Sequence, residues 1–463
     1  MPQVRKMIQT SRKIVLLAVL AMSAFTCVAA EIYDGPAIDV FPDHEKIGKT
    51  YSIKKAVSDG KRLFVAKFNL LDGSGRPFAT EHNFPTARSD AGPSFQRIAG
   101  PDANSCAGCH NQPAIGGSGD FAVNVFAGAP QFGAQLTDSI SAVFSNERNT
   151  RSLVGIGGIE IAATEMSREL IRQKDDASHR AKQSGQPIPI KLATKGVSFG
   201  SIVARPDGDV DFSGLQGISP DLVVRPFNAK GTVTSIREFT IVALNQHHGI
   251  EATEFFGKAR TGSKDFDGDG VEDEFSVGQT TALSLFQAAI PAPDNRNFEK
   301  HRGFAVFKQV GCDSCHLPAM RVNTNLFSEP NEFNREGVLA PGDSKNHIKM
   351  PLPLMREGKG FVLSAYTDLK RHVMCDSKRK QLCNELKKQD KVPFNEFMTT
   401  RLWDLSTSAP YCHRGDCTTL TEAIEVHGGE ASDSTEKFDA LSRNDKVALI
   451  QFLKLLGSRE EVH

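Results

Sequence analysis

The sequence has no excess of charge of either sign and very little that could cross a membrane. Its 463 residues carry 55 Lys and Arg against 55 Asp and Glu, a balance that argues against a nucleic-acid partner. Only residues 14–25 form a continuous apolar stretch, and no other segment is long and apolar enough to suggest a membrane span. The length predicts two or three domains with substantial cores.

The apolar stretch at 14–25 is shorter than a comfortable transmembrane helix and follows a basic N-terminus. Val28 and Ala30 place small residues at positions −3 and −1 before Glu31, which is typical of a cleaved signal peptide. We therefore expect residues 1–30 to be a signal peptide and the mature chain to be a soluble, periplasmic protein. A lipoprotein anchored through Cys27 fits less well, because the preceding residues match a lipobox poorly. Cleavage would leave a formal net charge of about −4, which is compatible with a basic electron carrier as partner.

Cysteine and histidine are also scarce, at nine and thirteen residues, so a repeated Cys-x-x-Cys-His pattern is informative. The residues are Cys106, Cys109 and His110 in the first copy and Cys312, Cys315 and His316 in the second. In an exported protein this motif marks covalent c-type haem, with two thioethers to the porphyrin and the His bound to the iron. Zinc knuckles or disulfides are the alternatives, but zinc needs further ligands nearby and a disulfide does not need the His. The sequence thus predicts two covalent c-type haems.

Four more cysteines remain in the mature chain, an even number that favours disulfides in an oxidising compartment. The simplest pairing is local, Cys375 with Cys383 and Cys412 with Cys417. Free buried thiols are the alternative.

The organisation of the chain is read from its periodicity. Short β-branched and apolar runs alternate with turn signals at about 188–245, which predicts a small inserted antiparallel sheet. Residues 291–295 resemble a linker. Helices are predicted at 298–310, directly before the second haem motif, and near the C-terminus after Ser442. We expect a mainly α protein with two cytochrome c-like haem domains, residues 31–290 and 297–463, and the inserted β region.

A further helix is predicted after Thr419, which fits the N-cap of a capping box. Leu420, Ala423, Ile424 and His427 recur at i, i+3, i+4 and i+7 and so share one face. His427 at the end of this apolar stripe is either a buried iron ligand or a helix C-terminal His that interacts with the dipole. Periodicity does not decide between the two.

Further sequence blocks accompany the haem motifs. They are Pro-Tyr-x-His-x-Gly at 410–415, Asn-Thr-Arg-Ser-Leu-Val-Gly-Ile-Gly at 149–157, and Asp-Gly-Asp-Gly at 267–270 followed by Thr-Ala-Leu-Ser-Leu-Phe at 281–286. In this order they resemble the di-haem bacterial cytochrome c peroxidase and MauG superfamily, most closely its di-haem oxidoreductase branch. The resemblance covers about residues 65–457. It implies a peroxidase-type oxidoreductase that takes electrons from a small periplasmic carrier, a cytochrome c or a cupredoxin, and passes them to peroxide or a similar small oxidant.

In this superfamily the sixth ligand of the second haem follows the His of Pro-Tyr-x-His-x-Gly by fourteen residues, and His427 stands there. The typical peroxidases carry Met and MauG-like proteins carry Tyr at this position. The resemblance therefore implies a bis-His iron held by His316 and His427, low-spin and lower in potential than a His/Met iron. Such a haem is a closed electron-transfer centre. His413 is expected to contact a propionate or a ligand side chain, and does not bind the iron.

The first haem, bound by His110, is then the reactive centre. The typical peroxidases place a displaceable His shortly after the first motif, but residues 111–145 contain none. Either this iron has an open site, or a remote residue caps it. His247 and His248 are the best remote candidates, and Met166 is a weaker one. For each of them, a structural role or a contact with an iron ligand is the alternative.

Peroxide cleavage also needs a group that transfers a proton. Relatives carry a Glu after the 149–157 block, and Glu160 matches it. Between Ile residues its carboxyl would have a raised pKa, as proton transfer requires. Glu165 and Glu169 are alternatives, and Glu160 could also be a partly exposed residue at a helix start. Trp403, the only Trp, either relays electrons between the haems or packs against the second haem or the domain interface.

The loop at 265–276 has carboxylates at positions 1, 3, 5 and 9 and Gly at position 6. Calcium favours such oxygen cages, so Asp265, Asp267, Asp269, the carbonyl of Val271 and Asp273 are predicted to bind a structural Ca²⁺. Position 12 is Ser, so the loop is not a full EF-hand. A solvated acidic turn is the alternative.

Three functions remain open on these grounds. The first is a di-haem peroxidase with a reactive first haem and Glu160 as its acid. The second is a non-enzymatic electron-transfer cytochrome with both irons six-coordinate. The third is MauG-like oxidation of a protein or organic substrate.

Overall fold

The structure is a computed structural model that describes residues 35–75, 101–120, 147–293, 296–385 and 389–457, with the backbone of three two-residue strands between them. The signal peptide expected at 1–30 lies outside the described residues. Within the described part of the chain, no helix is long and apolar enough to cross a membrane.

The α-helices are short apart from one of 29 residues, and several begin at a hydroxyl cap. Ser52 accepts the amide of Lys55 at 3.2 Å, and Ser442 accepts that of Asp445 at 3.2 Å, as predicted for the C-terminal helix. In chain order the helices are α1 Ile53–Val65, α2 Cys106–Cys109, α3 Ile156–Ser184, α4 Ile236–Ala243, α5 Thr253–Phe256, α6 Lys258–Thr261, α7 Val277–Ala289, α8 Arg302–Gln309, α9 Leu420–Glu425, α10 Ser432–Asp439 and α11 Arg443–Leu455.

All paired strands are antiparallel and form small separate sheets. The pairs are β1–β3, β2–β4, β9–β10 and β13–β14, and two three-stranded sheets have the orders β5–β6–β7 and β11–β12–β8. The strands are β1 Phe95–Gln96, β2 Ala122–Val123, β3 Ala127–Gly128, β4 Arg148–Asn149, β5 Ile188–Thr194, β6 Val197–Ala204, β7 Val210–Asp211, β8 Met320–Val322, β9 Leu326–Glu329, β10 Ile348–Pro351, β11 Met355–Glu357, β12 Gly360–Leu363, β13 Arg371–Val373 and β14 Glu396–Met398.

The expectation of a mainly α protein is wrong, because the chain is 36% helical and 15% strand with several antiparallel sheets. The predicted β region accounts only for β5 to β7. Strands β8 to β14 follow the second haem motif, and runs of three or four residues are too short for alternation to be recognised. Conversely, the last part of the predicted β region forms helix α4, because the Ser235 hydroxyl caps a helix by accepting the Glu238 amide at 3.0 Å.

The main hydrophobic core takes side chains from both sides of the expected domain boundary, including Phe64, Leu283, Phe327 and Met398. A buried ion pair also crosses it, since Arg237 on α4 contacts Glu329 on β9 at 2.6 Å. A second core packs α8 against α11 beside the second haem motif. The division into two haem domains remains a prediction.

Candidate haem sites and an acidic loop

A cavity of about 270 Å³ lies beside the second Cys-x-x-Cys-His motif. Its wall includes Cys312, Cys315 and His316 from the motif, and apolar side chains from α9 and α11. Leu420, Ala423, Ile424 and His427, which periodicity placed on one helix face, all line this cavity. The structure therefore brings the proposed second-haem residues around one space, close to the lower end of the volumes usual for ligand pockets.

His316 and His427 face this cavity with the same tautomer. Nδ1 of His316 donates to the carbonyl of Tyr366 at 3.0 Å, and Nδ1 of His427 donates to that of Ala423 at 2.6 Å. Burial lowers the pKa of His316 to about 4, with the neighbouring His427 adding to the effect, and burial also lowers the pKa of His427. Both imidazoles are thus neutral with Nε2 unprotonated, which is the state that binds a metal.

Two arginines also line the cavity, and sequence reasoning missed them. Burial lowers the pKa of Arg151 to about 10, with Arg148 adding to the effect. Burial likewise lowers the pKa of Arg401 to about 10, and the charge of Arg151 contributes. Nε of Arg401 has no hydrogen-bond acceptor within the described residues. Two guanidinium groups beside an apolar cavity suit the carboxylates of a haem, because Arg–carboxylate pairs are strong where water is scarce. No pattern in the sequence indicates that these two arginines are buried.

A zinc site at the second motif does not fit the described residues. Cys315, Asp368 and His372 have ligand atoms within 4.8 Å of one another. However, the ring nitrogens of His372 contact Asp368 at 2.8 Å and Glu430 at 2.7 Å. Burial alone would lower the pKa of His372, but its hydrogen bonds to Asp368 and Cys315 raise it to about 11. Each ring nitrogen of His372 thus faces a carboxylate, which leaves neither of them directed at a metal beside Cys315.

The first motif forms helix α2, with Ser105 as its N-cap. Nδ1 of His110 donates to the carbonyl of Gly117 at 3.2 Å, and burial lowers its pKa to about 4. The ring is again neutral with Nε2 as an acceptor. None of the four motif cysteines is in a disulfide, so all four sulfurs are available for thioethers.

His247 and His248, predicted as remote caps of the first haem, lie in a π-helical turn, Leu244–His248, that follows α4. Nε2 of His248 is 3.7 Å from Sγ of Cys106, while its Nδ1 donates to the carbonyl of Ala103 at 2.7 Å. His247 instead contacts Asp102 at 2.8 Å. The structure thus places the His248 ring beside Cys106 of the first motif. Met166 is fully buried on α3 in the main core.

Glu160 is buried on α3, with 2% of its surface exposed. Its carboxyl accepts hydrogen bonds from the amide of Ile236 and from Nδ2 of Asn331, both at 2.7 Å. Burial raises the pKa of Glu160 to about 8, although these two hydrogen bonds act to lower it. The pKa of Glu160 is therefore raised, as expected. Its two hydrogen-bond donors, however, belong to the start of α4 and to the chain after β9, and not to the first haem motif.

The alternatives to Glu160 are engaged elsewhere. Glu165 pairs with Lys195 at 2.6 Å, and Glu169 accepts the hydroxyl of Thr194 at 2.6 Å.

Trp403 and His413 both line the cavity of the second motif. The indole donates to the carbonyl of Ser364 at 2.9 Å and lies against Gly155, where an added Cβ would be 2.3 Å from the ring. His413 contacts Glu385 at 3.0 Å and packs on Phe397. The neighbouring cysteines form the two local disulfides predicted, Cys375–Cys383 and Cys412–Cys417.

The acidic loop brings the ligand atoms of Asp265, Asp267 and Asp269 within 4.8 Å of one another. Asp273, also predicted as a ligand, contacts Lys264 at 3.1 Å instead. A second group, Glu251, Asp267 and Glu274, meets the same distance limit and is more buried. Glu251 and Glu274 were not identified from the sequence, because neither occupies a ligand position of the loop pattern.

Residues 353–456 match the family model described as "Di-haem oxidoreductase, putative peroxidase". The chain is also 27% identical over 193 residues to the cytochrome-c peroxidase IdrP2 of Pseudomonas sp. (strain SCT), covering 40% of this chain and 43% of the relative. The IdrP2 of Denitromonas iodatirespirans is 27% identical over 163 residues, 34% of this chain and 38% of the relative. Each match spans less than half of the relative's length. These matches support the resemblance seen in the sequence to the di-haem, peroxidase-like oxidoreductases.

Proposed function

We propose that this chain is a periplasmic di-c-haem oxidoreductase of the peroxidase type. The observation that carries the proposal is that the apolar stripe ending in His427 and the second haem motif with His316 line one cavity. Two neutral imidazoles with Nε2 available in that cavity support a closed, bis-His iron. The family match over residues 353–456 supports the same assignment, because it contains both His413 and His427.

Each haem, when bound, supplies an iron that exchanges single electrons, and an open iron can also take up a peroxide. The chain's own residues then have separate roles. Cys312 and Cys315 hold the second haem covalently, and Arg151 and Arg401 neutralise its carboxylates. The carbonyls of Tyr366 and Ala423 fix the ring orientation of His316 and His427.

At the first site, Cys106, Cys109 and His110 hold the reactive haem. Glu160 serves as the proton donor in this proposal. With a pKa of about 8 it carries a proton at neutral pH, and its hydrogen bonds to Asn331 and Ile236 hold the carboxyl in one orientation. The oxidant is peroxide or a similar small molecule, and the donor is a small periplasmic carrier, a cytochrome c or a cupredoxin.

Calcium is part of the proposal as a structural ion at the loop. Asp265, Asp267 and Asp269 supply oxygen ligands in the arrangement that Ca²⁺ favours. Asp273 and the carbonyl of Val271 complete the set proposed from the loop pattern.

The decisive experiment is low-temperature EPR of the purified, haem-loaded ferric protein, with and without cyanide. We expect one bis-His low-spin signal that cyanide leaves unchanged and one signal that cyanide converts. Loss of the unchanged signal in His427→Ala would assign it to the second haem. Two low-spin signals unaffected by cyanide, before and after one-electron reduction, would contradict peroxidase function.

The electron-transfer cytochrome remains the second candidate, because His248 lies beside the first motif. If this ring caps the first iron, His248→Ala opens that site to cyanide. If the site is already open, the variant leaves the cyanide titration unchanged.

A further inference from the structure

Glu274 presents an unsatisfied buried oxygen next to the acidic loop. The residue is 8% exposed, and its Oε2 accepts the amide of Glu251 at 2.5 Å. Its Oε1 has no hydrogen-bond partner in the part of the chain that the structure describes. A buried carboxylate oxygen without a donor is unfavourable unless a cation is close.

Two further carboxylates face the same point. Ligand oxygens of Glu251, Asp267 and Glu274 lie within 4.8 Å of one another, and Glu251 is 4% exposed. Negative charge on the three carboxylates is repulsive at this separation, and a cation between them removes that repulsion.

The lysine of the loop pairs with other carboxylates. Lys264 contacts Glu272 at 3.4 Å and Asp273 at 3.1 Å on the exposed side of the loop. Asp273 is therefore neutralised by a lysine, whereas Glu274, which has the unsatisfied oxygen, belongs to the cluster with Glu251 and Asp267.

We propose that Glu251, Asp267 and Glu274 bind a divalent cation, and that their all-oxygen ligand set selects Ca²⁺. The inference deepens the calcium proposal for the loop and rests on it only through Asp267, which both groups share. Glu251 and Glu274 replace Asp273 as the ligands that connect the loop to the protein interior. Carboxylate cages of this kind are typical of calcium, because it accepts six to eight oxygen ligands in flexible geometry.

The cation would stabilise the position of the segment that contains His248. Glu251 follows His248 by three residues, and the carbonyl of His248 accepts from the hydroxyl of Ser74 and the amide of Gly75, both at 2.9 Å. Gly73 lies against Glu274, where an added Cβ would be 2.2 Å from Cδ. The site therefore joins two segments that position the His248 ring beside Cys106.

The test uses the full-length, haem-loaded protein, freed of calcium by a chelator and titrated with CaCl₂. Calorimetry gives the affinity, and thermal unfolding gives Tm with and without calcium. We expect Ca²⁺ to raise Tm by about 3 °C at a hundredfold excess over Kd. Glu274→Gln should weaken binding by about tenfold or more and remove most of the Tm rise.

Glu272→Gln is the matched control, because it removes one charge from an exposed position of the same loop. It should bind Ca²⁺ like the unmodified protein. Glu274→Gln should keep or raise the calcium-free Tm, since it removes a buried carboxyl, and a merely structural role would lower it. Glu251→Gln provides a second variant if Glu274→Gln does not fold.

The outcomes separate the two calcium proposals. Unchanged affinity in both Glu274→Gln and Glu251→Gln overturns the buried site. If Asp269→Asn loses calcium binding and Glu274→Gln keeps its calcium affinity, only the site proposed at the loop is supported. Absence of calcium binding in the unmodified protein overturns both, without bearing on the haem assignment.

Discussion

His316 and His427 line one cavity, and each donates its Nδ1 proton to a backbone carbonyl, that of Tyr366 and of Ala423 respectively. The carbonyls fix the tautomer in which Nε2 is unprotonated, which is the form of imidazole that can bind a metal. The two rings come from segments more than a hundred residues apart. Substitution of either ring should therefore affect the second centre while leaving the first haem motif intact.

Replacing His427 by Met should convert the second centre from bis-His to His/Met coordination. We expect its reduction potential to rise by on the order of 100 mV, because a thioether stabilises ferrous iron relative to imidazole. Spectroelectrochemical titration measures this shift. The exposed His347 supplies the control, and His347→Met should leave both potentials unchanged. An unaltered potential in His427→Met would show that His427 does not bind the iron.

Arg401→Met should raise the preference of the second haem for its oxidised state and so lower its potential. Removing a positive charge beside the cavity favours the oxidised iron, by on the order of 50 mV at an effective dielectric constant near 20. Arg443→Met removes the same charge from an exposed helix start and should have little effect. Redox titration with EPR detection reads the two haems separately, and equal shifts in both variants would argue against a contact between Arg401 and the haem.

Glu160→Gln should change both activity and the pH dependence of stability. The folded pKa of about 8 lies above the ordinary Glu value, so between about pH 5 and 8 the unfolded chain ionises while the folded carboxyl stays protonated. As the pH rises through that window, the free energy of unfolding of the unmodified protein should therefore fall by roughly 1 kcal/mol per pH unit relative to that of Glu160→Gln. Urea unfolding at several pH values, at constant calcium, measures this difference.

The peroxidase rate of Glu160→Gln should fall by about a hundredfold if the carboxyl donates a proton. Glu357→Gln, on the exposed end of β11, is the control for both measurements. A stability change without any loss of rate would assign Glu160 a structural role only.

The disulfide Cys375–Cys383 follows β13 closely in the chain. Replacing both cysteines by Ala should lower the free energy of unfolding by roughly 2–3 kcal/mol, since the crosslink restricts the unfolded chain. Chemical denaturation of the haem-loaded protein measures the loss. The exposed Lys378 lies inside the same closed loop, so Lys378→Ala serves as a surface control. An unchanged midpoint in the double variant would mean that the bond contributes nothing to stability.

Local patterns in the sequence were sufficient for part of the site. The stripe from Leu420 to His427 was predicted by helical spacing, because a cavity on one side of a helix leaves a regular apolar face. The motif cysteines and the two disulfides follow from composition and short separations.

The remaining features depend on the tertiary structure. Arg151 and Arg401 are distant in the chain, and only the tertiary structure brings both of them to one cavity. Glu274 was overlooked because its burial comes from packing against Gly73. The helix at Ile236 was read as a strand, since its β-branched residues favour extended backbone, but burial and the Ser235 cap outweigh that preference. Propensity describes single residues, whereas these features arise from contacts between segments.

Trp403 gives the protein an internal optical reporter. It is the only tryptophan of the chain, it is 3% exposed, and it lines the cavity proposed for the second haem. A porphyrin in that cavity would quench the indole emission by energy transfer. The loss of this emission would then report haem loading without any added label, so the fraction of molecules that have received haem during maturation becomes measurable.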